Sequence, residues 1–170
     1  HSITSPMRSF SIRVRSLATG QPVIELDGEP GPQVSISHGS GRAVAAASWS
    51  SRLGVDLEAV RARHPAWVED WFSDKERALV GDDAHLQTVA WCAKEAVLKV
   101  LGTGLGGADF TDIEVVRLDS GKPELLVTGR AAAAAQELGI VSWLISMSHS
   151  VHLAKVFVAG LGEPNGASKS

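Results

Sequence analysis

Two short stretches concentrate side chains able to handle a charged substrate: "GVDLE" at 54–58 and "WCAKEAVLK" at 91–99. In a strand, Asp56 and Glu58 project to one face while Val55 and Leu57 project to the other. Two like-charged carboxylates side by side repel. On a half-buried strand they raise a pKa or cost stability unless a cation sits between them. Oxygen-only ligands suit a hard ion such as Mg2+, which combines carboxylates with water and phosphate. In a helix, Trp91, Glu95 and Lys99 share one ridge, and Lys94 and Leu98 form the ridge beside it. Glu95 could supply a third oxygen, with Lys94 and Lys99 neutralising the phosphates such a metal carries. The competing reading is ordinary: two solvent-facing acids at a strand end, and an exposed Glu95–Lys99 pair worth about 0.3–0.5 kcal/mol.

These groups need a strand and a long helix to hold them, and the surrounding pattern supplies both. "RLGVDLEAV" reads as a short, mostly apolar strand carrying acids. Residues 85–101 form the strongest helix, with Leu86, Val89, Ala90, Val97, Leu98 and Leu101 on its apolar face and Gly102 and Gly104 ending it. Before it, "HPAWVEDWFSDKERALV" is helical, with Pro65 suited to a first turn and Ser73 with Glu76 to a capping box. Residues 9–16 alternate as a strand, and a turn-rich stretch with Gly28, Pro30, Gly31 and Pro32 follows. "FTDIEVVRL" and "PELLVTG" read as strands, residues 130–138 as an alanine-rich helix, and "SWLISMSHS" and "VHLAKVFVA" as the last two strands. Strands and helices mix without regular βα alternation, so the expected class is α+β with antiparallel sheet packed with helices.

An internal repeat is visible. "VSISHGSGRAVAAAS" (34–48) aligns without gaps on "ISMSHSVHLAKVFVA" (145–159), each a Ser-x-Ser-His turn entering an Ala/Val-rich strand. A Gly-x-Pro precedes each, "GEP" at 28–30 and "GKP" at 121–123. The expected organisation is a shortened N-terminal repeat over 8–52, a main unit over 53–160 and a polar, disordered tail over 161–170. The opening "HSITSPM" resembles an expression scar.

Other patterns carry less. "GTGLGG" (102–107) has the spacing of a dinucleotide fingerprint, but it follows a helix where that fingerprint must follow a strand. It reads as a helix cap and a loop that lets backbone approach a ligand. Ser37–His38 and Ser148–His149 are adjacent in extended segments, so neither pair makes a hydrolytic triad, and no Gly-x-Ser-x-Gly elbow is present. At a strand end they could offer a hydroxyl and an imidazole to phosphate; either histidine could equally be structural. Cys92 reads as packing. Trp67 and Trp71, four apart, read as core or a partner groove.

Composition fits a globular protein: 170 residues, 44% hydrophobic, 21% charged and a net charge of −3. That charge, with no basic run, argues against nucleic acid, and no stretch reaches the length of a membrane span. One cysteine excludes an internal disulfide and fits a reducing compartment, so a cytoplasmic location is expected.

With "GVDLE" followed by "WCAKEAVLK" and then "GTGL", the chain resembles the 4'-phosphopantetheinyl transferases. "SISH" and "WFSDKE" match the surfactin-synthetase-activating type, a pseudodimer of two similar halves. "GKPELLVTGRAAAAAQELGI" and "ISMSHS" look like the smaller holo-acyl-carrier-protein synthases, which are trimers with sites between subunits. The resemblance implies the transferase fold and transfer of 4'-phosphopantetheine from coenzyme A to a serine of an apo acyl or peptidyl carrier protein of polyketide, fatty acid or nonribosomal peptide synthesis.

It further implies Mg2+ held by Asp56, Glu58 and Glu95, and phosphate contacts from Lys94 and Lys99. Ser37 and His38 would bind the adenosine 3'-phosphate end, and Gly102 and Gly104 would line the coenzyme A site. Glu95, or a metal-bound water, would take the serine proton. Trp71 and Phe72 would help receive the carrier protein.

The chain departs from the family in its short N-terminal half and in Glu29, where the family often has lysine. Both Ser-His turns survive, so either the first completes the site within the chain or the second completes a neighbour's site in a trimer. Two other function classes remain to be separated: a Mg-dependent pyrophosphohydrolase, and a catalytically silent docking domain of a megasynthase.

Overall fold

The computed structural model describes residues 10–117 and 122–163. The opening "HSITSPM" and residues 164–170 of the tail expected over 161–170 lie outside the described residues, as does Gly121 of the second Gly-x-Pro; Leu161, expected to begin that tail, instead ends the last strand. The chain begins with a four-stranded antiparallel sheet in the order β1-β2-β3-β4. Its strands are β1 (Ile12–Ser16), β2 (Pro22–Leu26), β3 (Glu29–Gly39) and β4 (Arg42–Ser48). Two of these differ from the sequence expectation: the turn-rich stretch holds β2, and β3 starts at Glu29 with Pro30, Gly31 and Pro32 inside it. A two-residue Asp27–Gly28 turn, both residues at positive φ, joins Leu26 to its cross-strand partner Glu29. Asp-Gly is a strong hairpin signal because it accepts that backbone. The prolines are tolerated because the register slips between Val23 and Glu25, where ladder donors are not all required. Gly31 is obligatory there, since a Cβ would stand 2.6 Å from Ile24 Cγ2.

A three-stranded antiparallel sheet, β5-β9-β8, carries the centre of the molecule: β5 (Arg52–Ala59), β8 (Ser142–His149) and β9 (Leu153–Leu161). Helix α3 (Ala84–Leu101) lies across one face and brings Val89, Ala93 and Val97 into one core with Val156 and Val158. The approach is close: a Cβ on Gly54 of β5 would fall 1.8 Å from the Ala96 carbonyl oxygen. Asp83 caps α3 through the amides of His85 and Leu86, and Gly102 ends it in the left-handed conformation. Before it come α1 (Pro65–Trp71), capped by His64, and α2 (Asp74–Val80), whose Ser73/Glu76 capping box forms as the sequence predicts. After it come β6 (Ile113–Arg117), β7 (Pro123–Val127) and α4 (Gly129–Glu137). "FTD", expected within β6, is a 3-10 turn.

The repeat is structural as well as sequential. β3 pairs with β4 through Val34↔Ala47, Ile36↔Ala45 and His38↔Ala43. β8 pairs with β9 through Ile145↔Val158, Met147↔Val156 and His149↔Ala154. The ungapped alignment maps each pair of one hairpin onto a pair of the other.

Candidate active site

Asp56 sits on the face of β5 turned to α3 and is almost fully buried. Its Oδ1 accepts two hydrogen bonds, from Ser37 Oγ (2.8 Å) and from Lys99 Nζ (2.8 Å). Its Oδ2 is buried and, among the described residues, has no hydrogen-bond partner within bonding geometry, with the Cys92 thiol nearby. A buried carboxylate with one oxygen doubly bonded and the other bare is costly unless a ligand completes it.

Lys99 donates also to the Val55 carbonyl oxygen (2.9 Å), so it ties the last turn of α3 to β5 rather than pairing with Glu95 along the helix. Glu95, one turn earlier, is half-buried. Burial raises its carboxyl pKa, repulsion from Asp56 and Glu58 raises it further, and Lys99 opposes both. The three acids the sequence grouped thus share one electrostatic neighbourhood, with the Lys99 ammonium by Asp56 and Glu95 and the Arg63 guanidinium near Glu58. Among the described residues, no three His, Cys, Asp or Glu side chains converge into a ready-made metal cluster.

Lys94 departs from expectation. It is fully buried, and its ammonium donates to Glu76 Oε2 (2.6 Å), the Phe110 carbonyl (2.7 Å) and the Ile113 carbonyl. A lysine has three donors, and here all three are used inside the protein. It therefore has no donor for phosphate. Burial pushes its pKa down and Glu76 pulls it back. Glu76 itself accepts from the amides of Ser73 and Val115, so the pair locks α2, α3 and β6 together. The sequence reading recognised Glu76 only as a capping residue; a buried partner for Lys94 has no local signature.

Ser37 and His38 divide between the faces of β3. Ser37 Oγ is buried, donating to Asp56 and accepting from the Leu57 amide (3.2 Å). Ser35 Oγ accepts from the Val55 amide (2.9 Å) in the same way. These two hydroxyls stand in for ladder carbonyls along the open edge of β5. Ser37 therefore has its hydroxyl committed to Asp56, and the expected phosphate contact gives way to a positioning role. His38 lies exposed on the opposite face. Of the two arrangements left open, it is the first Ser-His copy that reaches Asp56 within the chain; Ser146 and Ser148 of the second copy are exposed.

A slot of about 200 Å3 opens beside these groups. Glu95, Leu98, Lys99, Gly102 and Gly104 form one wall. The turn after β1 (Thr19, Gly20, Gln21) and residues 34–36 of β3 form the other. Gln21 Oε1 lies 3.1 Å from where a Cβ on Gly102 would be, so this glycine sets the width. Gly102 and Gly104 thus line a ligand-sized opening as a helix end and loop, not as a dinucleotide fingerprint. The wall from residues 19–22 had no motif to announce it.

The aromatic segment between the acids and α3 is mostly interior. Phe72 has no exposed surface and packs edge-on to Trp67, with ring centroids 5.7 Å apart. It belongs to the core, which removes it from any docking surface. Trp71 is half-buried against Trp91 and Phe110. Cys92 is buried as expected, and burial with the nearby Asp56 charge drives its thiol pKa far up.

The profile of the 4'-phosphopantetheinyl transferase superfamily matches residues 52–154. The chain is 42% identical over 119 residues to a holo-[acyl-carrier-protein] synthase of Streptomyces avermitilis, covering 65% of this chain and 96% of that protein. It is 46% identical over 72 residues to the enzyme of the same name from Gloeobacter violaceus, covering 42% of this chain and 54% of that protein's length. Among solved structures it resembles holo-ACP synthase from Plasmodium yoelii, with TM-score 0.57, 25% identity and coverage of 66% and 94% of the two chains. It also resembles the ACPS–CoA complex of Chronobacterium ammoniagenes, with TM-score 0.57, 26% identity and coverage of 68% and 99%. The matched segment holds Asp56, Glu58, Glu95 and Lys99 together, and this chain belongs to the 4'-phosphopantetheinyl transferase superfamily.

Proposed function

We propose that the chain transfers 4'-phosphopantetheine from coenzyme A to a serine hydroxyl of an apo acyl or peptidyl carrier protein, with Mg2+ as the metal. The observation that carries this reading is the open cluster of Asp56, Glu58, Glu95 and Lys99 beside the Gly102–Gly104 slot, in a family whose named relatives are holo-[acyl-carrier-protein] synthases.

The bare Asp56 Oδ2 and the excess of carboxylate over ammonium suit a hard cation. Asp56, Glu58 and Glu95 would hold it, with water and the coenzyme A pyrophosphate filling the remaining positions. A bound Mg2+ would neutralise charge building up on the pyrophosphate during displacement. Lys99 places a second positive charge next to it, and Ser37 keeps the Asp56 carboxylate oriented.

The serine oxygen forms a bond to the phosphorus carrying pantetheine. The bond from that phosphorus to the bridging oxygen of 3',5'-ADP breaks, and the nucleotide leaves with the bonding pair. Glu95, with its pKa raised above the ordinary glutamate value by burial and by Asp56 and Glu58, accepts the serine proton. Ser37 of the first hairpin reaches Asp56 within the same chain, which supports a site completed by one polypeptide, and the active form is proposed to be a monomer. The carrier protein would approach past Trp71.

The test is release of 3',5'-ADP from coenzyme A with and without apo carrier protein. Release that requires both carrier and Mg2+ supports transfer. Release without carrier would instead establish a pyrophosphohydrolase, and none in either case a docking domain.

A further inference from the structure

The two hairpins of the repeat share one register but use opposite faces. In β8–β9, the face of Ile145, Met147, Val156 and Val158 is covered by α3, and the face of Ser146, Ser148 and Phe157 is open. In β3–β4, the serine face is buried against β5, and the equivalent aliphatic face of Val34, Ile36, Ala45 and Ala47 has no helix on it among the described residues. The register extends that bare face across the N-terminal sheet to Val14 and Ile12, opposite Ile24 and Leu26.

A sheet with one side in water normally puts its polar residues there. At β3–β4 this order is inverted. Ser35 and Ser37 are buried against β5, Arg13, Arg15, Glu25 and Gln33 continue their side of the sheet with Arg13, Arg15 and Gln33 exposed, and the opposite side is aliphatic. Ile12 is 65% exposed, Val14 59% and Ile36 43%, a contiguous patch of the kind that marks an interaction surface.

We propose that this face is a docking site for an amphipathic helix of another protein, seated on β3–β4 as α3 is seated on β8–β9. The fit follows from the repeat. Ala43, Ala45 and Ala47 make a shallow row on β4, so a helix can come close and insert large aliphatic side chains between that row and Val34 and Ile36. The helix carries Leu, Ile, Val or Met at i, i+4 and i+7 spacing. His38 lies at the end of the face, in the position where His149 meets His85 of α3 with ring centroids 5.3 Å apart. A polar or aromatic residue in the first turn of the docked helix completes that contact. Val34 and Ile36 also line the slot beside Glu95 and Lys99, so the docked helix borders that slot, but the proposal does not depend on the transferase reading, since its test reads binding and not transfer.

The probe is a labelled synthetic peptide with the sequence of residues 84–101, the helix known to fit the equivalent hairpin. Titrated with the full chain, it is expected to bind saturably. Hydrogen exchange should slow in β1, β3 and β4 while β8 and β9 stay unchanged. Ala45→Asp and, independently, Val14→Lys should each weaken binding at least tenfold without lowering the melting temperature; Leu144→Asp, on the open face of the other sheet, should leave it unchanged. Absence of saturable binding, protection on β8–β9 instead, or unchanged affinity in both variants would overturn the proposal. So would a concentration-dependent dimer that protects the same strands and excludes the peptide, which would assign the face to a second copy of this chain.

Discussion

Lys94 and Lys99 sit five residues apart on α3 and do opposite work. Around Lys94, every donor has an acceptor, Glu76 is held by two backbone amides, and no exposed surface remains. Around Lys99, the carboxylates of Asp56, Glu58 and Glu95 outnumber the cations beside them, Lys99 and Arg63, and among the described residues Asp56 Oδ2 has no hydrogen-bond partner. The first arrangement is closed and has nothing left to bind; the second is open and needs a ligand. Filled or unfilled valence separates the structural lysine from the functional one, although both occur in the same nine-residue motif.

The largest effect that would break this contrast is on stability. Lys94→Ala leaves Glu76 buried and unpaired and is expected to cost about 3–5 kcal/mol, read from urea unfolding. Lys99→Ala should cost much less, because that lysine is partly exposed. Comparable losses in the two variants would erase the distinction. Replacing the closed pair by Lys94→Met with Glu76→Leu should recover most of the loss.

On the open side, Asp56→Asn is expected to keep the melting temperature and to lower the proposed transfer rate by roughly 10²–10³, the scale of removing one electrostatic contact to the transition state. A near-normal rate would remove Asp56 from the machinery.

Ser37→Ala tests the chain's own contribution to that carboxylate. Loss of an orienting hydrogen bond to a metal ligand costs about 10–100-fold. Here the loss should appear as a higher Mg2+ requirement that Ser37→Thr partly restores. No change in the Mg2+ titration would leave Ser37 a packing residue.

The smallest effect concerns pH. Because burial and two like charges raise the Glu95 pKa, a larger fraction of its carboxyl is protonated at mildly acid pH than in an ordinary glutamate. If Glu95 must be ionised, kcat/KM falls on acidification at a pH above the usual glutamate range. Glu58→Gln, which removes one repulsion, should move that fall to lower pH. An acid limb that does not move would exclude coupling between the two.

Much of this was legible beforehand. The alternation around Asp56 and Glu58, the spacing of Glu95 and Lys99, the Ser73/Glu76 cap and the hairpin repeat all rest on local periodicity, which sequence carries directly. What escaped was decided by partners far along the chain. Lys94 looked like a phosphate ligand because its ion pair with Glu76 is formed across two helices. Ser37 looked like a ligand contact because the strand it serves lies beyond the hairpin turn. Phe72 looked available beside Trp71 because nothing local separates a core ring from a surface one. β2 was hidden by the glycines and prolines around it, although Asp27–Gly28 announced its turn.

The most direct measurement is the intact mass of an apo acyl carrier protein after incubation with this chain, coenzyme A and Mg2+, beside an EDTA control and the Asp56→Asn variant. The account predicts a gain of one phosphopantetheine in the complete mixture and none in either control. An unchanged mass across a panel of apo acyl and peptidyl carrier proteins, or a gain that persists in EDTA and with Asp56→Asn, would contradict it.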